Sequence, residues 1–201
     1  MLADFTVGGD DQIPEVAPYI LAINHISLLD ALVAFAVVPH QFAGVVAEGW
    51  AESPVVGRFM SWITTIFPVK AGATDPRAVS RATRWLRDGG VLLLAPEGRV
   101  SETRALLPGN PGLAYIASRS GAPVVPLAAW GQETAIGRLM RLRRPRIDAR
   151  VGAAIAVPRL PRDERDAQLA AHTEEIMHAL ADLLPDEYKG VYRGPPDGPI
   201  H

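Results

Sequence analysis

The sequence predicts an α/β fold: a single domain with a mixed, mostly parallel central sheet flanked by helices. Three observations predict it. Two short runs, Tyr19-Ile20-Leu21-Ala22-Ile23 and Val91-Leu92-Leu93-Leu94-Ala95, are apolar from end to end. Strands that read this way are covered on both faces, as parallel strands are. Helix start and stop signals fall between and after these runs, giving the strand–helix alternation of a layered α/β domain. No internal repeat, low-complexity tract or linker divides residues 1–201.

Each element can be justified in turn. Pro18 precedes the first strand, residues 19–23. Residues 28–38 are too long and too rich in Leu and Ala for a strand, and read as a helix that stops before Pro39. Ser53-Pro54 places an N-cap residue before a proline at the first helical position, which predicts a helix over residues 55–66. Asp75-Pro76 repeats that start signal, and Gly89-Gly90 closes the helix it opens. The strand over residues 91–95 is closed by Pro96. Residues 111–120 read as a helix ended by Gly121. Residues 124–130 read as a strand in which Pro126, lacking an N–H, predicts an edge or a bulge. Residues 147–157 alternate weakly, as a late strand would. Residues 162–184 form a long helix with mixed polar and apolar character, and the Gly- and Pro-rich tail, 185–201, is expected to be extended, wrapping or frayed.

Composition narrows the function classes. A chain of 201 residues, 48% of them apolar, can bury one substantial core. A net charge of −2 argues against nucleic acid as a partner. The absence of cysteine excludes disulfides, thiolate catalysis and cysteine-ligated zinc, and fits a reducing compartment. The N-terminal residues do not have the pattern of a signal peptide. The longest apolar stretch, residues 31–38, falls well short of the ~18–20 residues that cross a bilayer. The expectation is a cytoplasmic protein, soluble or peripheral to the inner face of the membrane. The sequence holds no Gly-x-Ser-x-Gly elbow, no Walker loop, no Gly-x-Gly-x-x-Gly and no His-Glu-x-x-His.

The motif with chemical content is Asn24-His25-Ile26-Ser27-Leu28-Leu29-Asp30, directly after the first strand. It places His25 at a strand's carboxyl end, where open α/β sheets keep their sites. A neutral imidazole can take a proton from a hydroxyl at physiological pH, and a carboxylate can hold its tautomer and stabilise the imidazolium. On a regular helix two residues five apart point about 140° away from each other. The pair therefore works only with His25 in the loop and Asp30 in the first helical turn. Ser27-x-x-Asp30 is equally a capping-box pattern, which would make Asp30 a cap and His25 an ordinary loop residue. The two roles are compatible, because a capped turn also fixes Asp30.

Asn-His-x4-Asp after an apolar strand resembles the first signature of the glycerolipid acyltransferase family, whose best-known bacterial members are the 1-acylglycerol-3-phosphate acyltransferases. Ala95-Pro96-Glu97-Gly98-Arg99-Val100-Ser101 is similar to the family's Pro-Glu-Gly-(Thr-Arg)-Ser block. Gly121-Ala122-Pro123-Val124-Val125-Pro126-Leu127 resembles its Pro-hydrophobic-Val-Pro strand, and the resemblance runs from Gly8 to Tyr192. It implies a glycerol-3-phosphate acyltransferase-like fold. It also implies transfer of a fatty acyl group from acyl-CoA or acyl carrier protein to the free hydroxyl of lysophosphatidic acid, giving phosphatidic acid. By the same resemblance His25 is the general base and Asp30 its partner, Glu97 and Gly98 place the acceptor's phosphoglycerol end, and Arg99 contacts the phosphate. Ser101, Arg58 and Lys70 complete the implied substrate-binding set. No metal and no cofactor beyond the donor is implied; the partners are the lipid, the membrane surface and the thioester donor.

Three positions depart from the commoner pattern. Arg99 stands one place before the usual arginine, Ala71 follows Lys70 where relatives often carry arginine, and Asn110 stands where lysine is common. Another lysophospholipid or glycerol-3-phosphate as acceptor therefore stays open, as does a non-catalytic lipid- or carrier-binding relative. Gly57-Arg58-Phe59 resembles the family's Gly-x-x-Phe region, and reads equally as a core helix with a snorkelling arginine. Arg138, Arg141, Arg143, Arg144 and Arg146, among Leu139, Met140 and Leu142, read as a solvated loop or as a contact to anionic headgroups. His172 and His178, in the last helix, read as surface or hydrogen-bond-satisfied residues.

Overall fold

Both apolar runs become neighbouring buried strands. β2 (Tyr19–Ile23) is wholly buried and lies parallel to β5 (Val91–Leu94), Tyr19 opposite Val91 and Ala22 opposite Leu94. This is a computed structural model, and it describes residues 3–54, 57–58, 64–69, 75–161 and 165–194. On the other side of β2 lies β6 (Val124–Trp130), also parallel. With β1 (Asp4–Gly8), β3 (Phe42–Ala47), β4 (Thr65–Val69) and β7 (Arg146–Val151) they form one seven-stranded sheet in the order β1-β7-β6-β2-β5-β3-β4. Every pairing is parallel except β6 with β7.

Alternation along the strands feeds two cores. Ile20, Ala22, Leu92, Val124 and Ala128 face one side, where α3 (Pro76–Arg87), α4 (Gly112–Ser120) and α6 (Arg165–Leu183) pack. Tyr19, Leu21, Ile23, Val91, Val125 and Leu127 face the other, against α1 (Asp30–Val37). The period of two along each strand assigns the faces, and burial of both explains the unbroken apolar reading. The capping signals hold in detail at α3. Asp75 accepts the N–H of Arg77 at 2.8 Å with Pro76 at the first turn, and Gly89 closes the helix at φ 89°. Two short helices, α2 (Glu48–Ala51) and α5 (Ala135–Met140), are also present.

One sequence expectation needs correction. A helix over residues 55–66 does not extend that far: Gly57 and Arg58 are helical, but Thr65 and Ile66 begin β4. Residues 55–56 and 59–63 lie outside the described residues. β4 is an edge strand paired only to β3, which is where its Pro68 can sit without costing a ladder bond. Pro126, by contrast, is not on an edge, since β6 lies between β2 and β7. The irregularity is a bulge in the chain opposite. Val124 exchanges both backbone bonds with Ile155, while the carbonyl of Pro126 accepts Gly152 N–H at 2.9 Å. Four residues, Gly152 to Ile155, thus face three, and the missing N–H of Pro126 falls where the ladder is already broken. The described part of the tail, residues 185–194, wraps: Leu106 N–H donates to Tyr188 O at 2.8 Å, and Gly190 passes so close that a β-carbon there would collide with the carbonyl oxygen of Leu106.

Candidate functional site

His25 lies in the loop after β2 and Asp30 is the first residue of α1, the one arrangement in which the pair can meet. They do meet: His25 Nδ1 is 2.7 Å from Asp30 Oδ2. The same oxygen accepts the N–H of Ile26 at 3.0 Å and of Ser27 at 3.1 Å, and Oδ1 accepts Gln132 Nε2 at 2.9 Å. Asp30 is buried and surrounded by donors, so it acts as an acceptor toward the imidazole as well. That places the proton on Nδ1 and leaves the Nε2 lone pair free. The His25 side chain keeps 29% of its exposure, enough for a hydroxyl to reach it. Ser27 N–H donates to Asp30 within the loop, and Ser27 Oγ accepts Leu29 N–H at 3.1 Å. The helix has Leu29 at its N-cap and no side-chain cap, so the capping-box reading does not hold; the Asp30 carboxylate instead ties down the loop and orients the imidazole.

The loop after β5 grips the backbone of His25 from both sides. Glu97 Oε1 accepts His25 N–H at 2.7 Å, and Ser101 N–H donates to His25 O at 2.7 Å. Glu97 Oε2 accepts Leu107 N–H at 2.8 Å, so both carboxylate oxygens are engaged with backbone. Burial pushes the Glu97 carboxyl up to about 7, against the two N–H donors, which pull it down. Ser101 is buried and its hydroxyl donates to Ala105 O at 2.6 Å, inside the loop. Gly98 adopts φ 70°, a left-handed turn for which glycine is suited, and its N–H closes on Ala95 O. Arg99 follows it and is exposed. Arg58 is exposed on the turn after Ser53, and Lys70 lies outside the described residues. The geometry therefore brings His25, Asp30, Glu97, Gly98, Arg99 and Ser101 into one constellation.

Two further residues belong to it: Asn24, which opens the motif, and Gln132, which lies outside every motif. Asn24 extends the sheet with its side chain: Nδ2 donates to Ala129 O and Oδ1 accepts Ala129 N–H, each at 2.8 Å. It thereby continues the β2–β6 ladder one rung and delivers His25 at a fixed place. Gln132 is buried and reaches Asp30 across more than a hundred residues of sequence, while its Oε1 has no partner among the described residues. Nothing local in the sequence marks it; a polar residue just past the carboxyl end of a strand parallel to β2 is the only hint. A separate groove of about 660 Å³ runs between α3 and α4, with Val79, Thr83, Tyr115, Arg84 and Arg119 among its lining, and includes neither His25 nor Asp30.

Residues 4–130 match the family model described as Acyltransferase. Among solved structures the chain is similar to the 1-acyl-sn-glycerophosphate (LPA) acyltransferase PlsC from Thermotoga maritima, with a TM-score of 0.65 and 24% identity, over 87% of this chain and 69% of that one. At that identity the likeness is one of fold.

Proposed function

The chain belongs to the acyltransferase family, whose model matches more than half of its length, and from that premise we propose that it acylates the free hydroxyl of lysophosphatidic acid, using acyl-CoA or acyl carrier protein as donor. The observation that carries the reading is the His25–Asp30 pair, with Nδ1 bonded to a buried carboxylate and the imidazole partly exposed. In the proposed step His25 Nε2 takes the hydroxyl proton as the acceptor oxygen attacks the thioester carbonyl. The C–S bond then breaks, and the imidazolium returns the proton to the departing thiolate. The products are an ester and a free thiol, and the histidine ends as it began.

Asp30 stabilises the imidazolium of the middle of this cycle. Its four hydrogen-bond donors keep the carboxylate in place, so it need not reorganise when charge appears on the ring. Glu97 and Ser101 act as positioning residues by holding the His25 backbone. Arg99 is the phosphate contact we favour, because a guanidinium fork matches a phosphate and this one is exposed on the loop that grips His25. The acceptor is a lipid, so the reaction is expected at a membrane; among the described residues no helix is long and apolar enough to cross one.

The test is incubation with a long-chain acyl-CoA or acyl carrier protein and a panel of acceptors, with free thiol and acylated product both measured. The reading expects thiol release that depends on lysophosphatidic acid. A faster reaction with glycerol-3-phosphate or a larger-headed lysophospholipid would reassign the acceptor. Thiol release with none of them would remove the proposal.

A further inference from the structure

One surface at the His25 end of the sheet is unlike the rest of the exterior. β6 runs parallel to β2, so its carboxyl end at Trp130 lies at the same end of the sheet as Ile23, just before Asn24 and His25. The chain turns there through Gly131 and Gln132, forms α5, and returns antiparallel as β7, with Trp130 opposite Asp148. Residues 131–145 therefore belong to the site's end of the molecule, tied to it by the Gln132–Asp30 bond.

Residues 136–144 are exposed without interruption. Ile136, Leu139, Met140 and Leu142 are all uncovered, Met140 at 82% and Leu142 at 97%. Arg138, Arg141, Arg143 and Arg144 alternate with them, and residues 136–147 contain no acid. Among the described residues only Arg146 of this cluster is ion-paired, to Asp148 at 3.3 Å. The loop is ordered rather than loose: Arg138 Nε donates to Arg144 O at 3.0 Å. Arg143 N–H bonds Arg138 O and Leu142 N–H bonds Leu139 O, each at 2.9 Å, which is a Schellman closure of α5.

In that closure Leu142 occupies the left-handed position, at φ 55°, where glycine or asparagine is usual. A leucine there is strained and, at its exposure, gains nothing from the fold. Leu28, between His25 and Asp30, and Val100, beside Arg99, are exposed as well. Apolar tips interleaved with guanidinium groups that have no acidic partner among the described residues match a headgroup layer, in which the tips reach the acyl boundary and the cations meet phosphate.

We propose that α5 and the turn through Leu142 dock on an anionic lipid bilayer, seating Met140 and Leu142 in the interface and turning the His25 end of the sheet toward the lipid. The proposal deepens the functional reading above, since a bilayer-borne acceptor would then enter beside the dyad.

The test is co-sedimentation of the full chain with vesicles of phosphatidylcholine alone and of phosphatidylcholine mixed with phosphatidylglycerol. The parent should partition at least about tenfold more strongly onto the anionic vesicles, and salt should weaken this binding. Replacing Arg141, Arg143 and Arg144 together by Gln should lower partitioning by about tenfold or more and remove the salt dependence. Leu142→Gly should weaken binding while holding or raising the melting temperature, because glycine relieves the backbone. Parent and variants that partition alike, or a parent that binds an acidic carrier protein through the same arginines and no vesicle, would overturn the proposal. Acyl transfer to a short-chain, dispersed lysophosphatidate without vesicles reads the reaction independently. An active enzyme that ignores vesicles counts against the surface, and a vesicle-binding protein with no transfer counts against the function.

Discussion

Glu97 holds His25 by its backbone, not by its ring: the carboxylate accepts His25 N–H at 2.7 Å and spends its other oxygen on Leu107 N–H. The ring is oriented separately by Asp30. Two carboxylates thus divide the work, one fixing where the histidine sits and the other which way its proton points. Only the second needs to be charged for the proposed chemistry.

Glu97→Gln tests the first role. The amide can accept only through its oxygen, so one of the two backbone N–H groups would face an NH2. Leaving a buried donor unpaired costs about 1–3 kcal/mol. Turnover should fall with little change in the acceptor's KM if Glu97 is a positioning residue. The pH dependence has a definite sign. The folded-state value, about 7, is raised above the ordinary 4.5, so the stability tied to the neutral form is complete below about 4.5 and is lost as pH rises through about 7. Melting curves of the parent and Glu97→Gln should therefore converge as pH rises across that window. A constant gap would mean that the carboxyl does not titrate there.

What the sequence revealed and what it concealed divide by range. Strands β2, β5 and β6 were legible because burial on both faces leaves no polar residue to confuse them. The edge strand β1 alternates exposed and half-exposed residues and gave no such signal, and β3 carries a glycine, Gly44, in its middle. The β4 region was misread because Ser53-Pro54 marks a helix start without marking where the helix ends. Spacing about a strand end allowed His25 and Asp30 to meet but allowed a helix cap as readily; the resemblance of the motif to the acyltransferase signature is what singled out the pair. Gln132 was not, because its contact depends on β6 lying next to β2, a property of the whole sheet and not of any local pattern.

His25→Ala should lower turnover by roughly 10²–10⁴ fold, the usual worth of a positioned general base, without loss of the fold. Asp30→Asn separates charge from geometry. The new amide oxygen can still accept from His25, Ile26 and Ser27. Its NH2 would meet Gln132, whose amide can rotate to present the oxygen that has no partner among the described residues of the parent. The protein should therefore fold normally while turnover falls by about 10² or more. Circular dichroism with initial rates decides, and near-parent rates in either folded variant would remove the dyad from the mechanism.

Gln132→Leu removes the donor to Asp30 Oδ1 and leaves that buried oxygen with nothing. Stability should drop by about 1–3 kcal/mol and turnover with it. Gln132→Asn, too short to reach, should behave alike in rate but with a smaller loss of stability. Denaturant titration beside initial rates checks both. Full activity in the leucine variant would show that Asp30 needs no support from β6.

Arg99 carries the last prediction, which concerns the acceptor. It stands exposed two residues before Ser101, whose N–H binds His25 O, and β5 lies directly beside β2. The loop that bears Arg99 is thus in contact with the loop that holds His25. A phosphate monoester needs a cation near that point and an uncharged acceptor does not. Arg99→Ala should raise the acceptor's KM more than the donor's, with a loss of about 1.5–3 kcal/mol, typical of a hydrogen bond to a charged group. That is roughly tenfold or more in kcat/KM. Arg99→Lys should recover only part, because a point charge cannot supply the bidentate fork. An arginine that only braced the loop would behave differently: its loss would lower the melting temperature and affect both substrates alike. Varying acceptor and donor separately, beside a melting curve, distinguishes the two. An unchanged acceptor KM with a lowered melting temperature would make Arg99 structural and shift the search for the phosphate contact to Arg58 and Lys70.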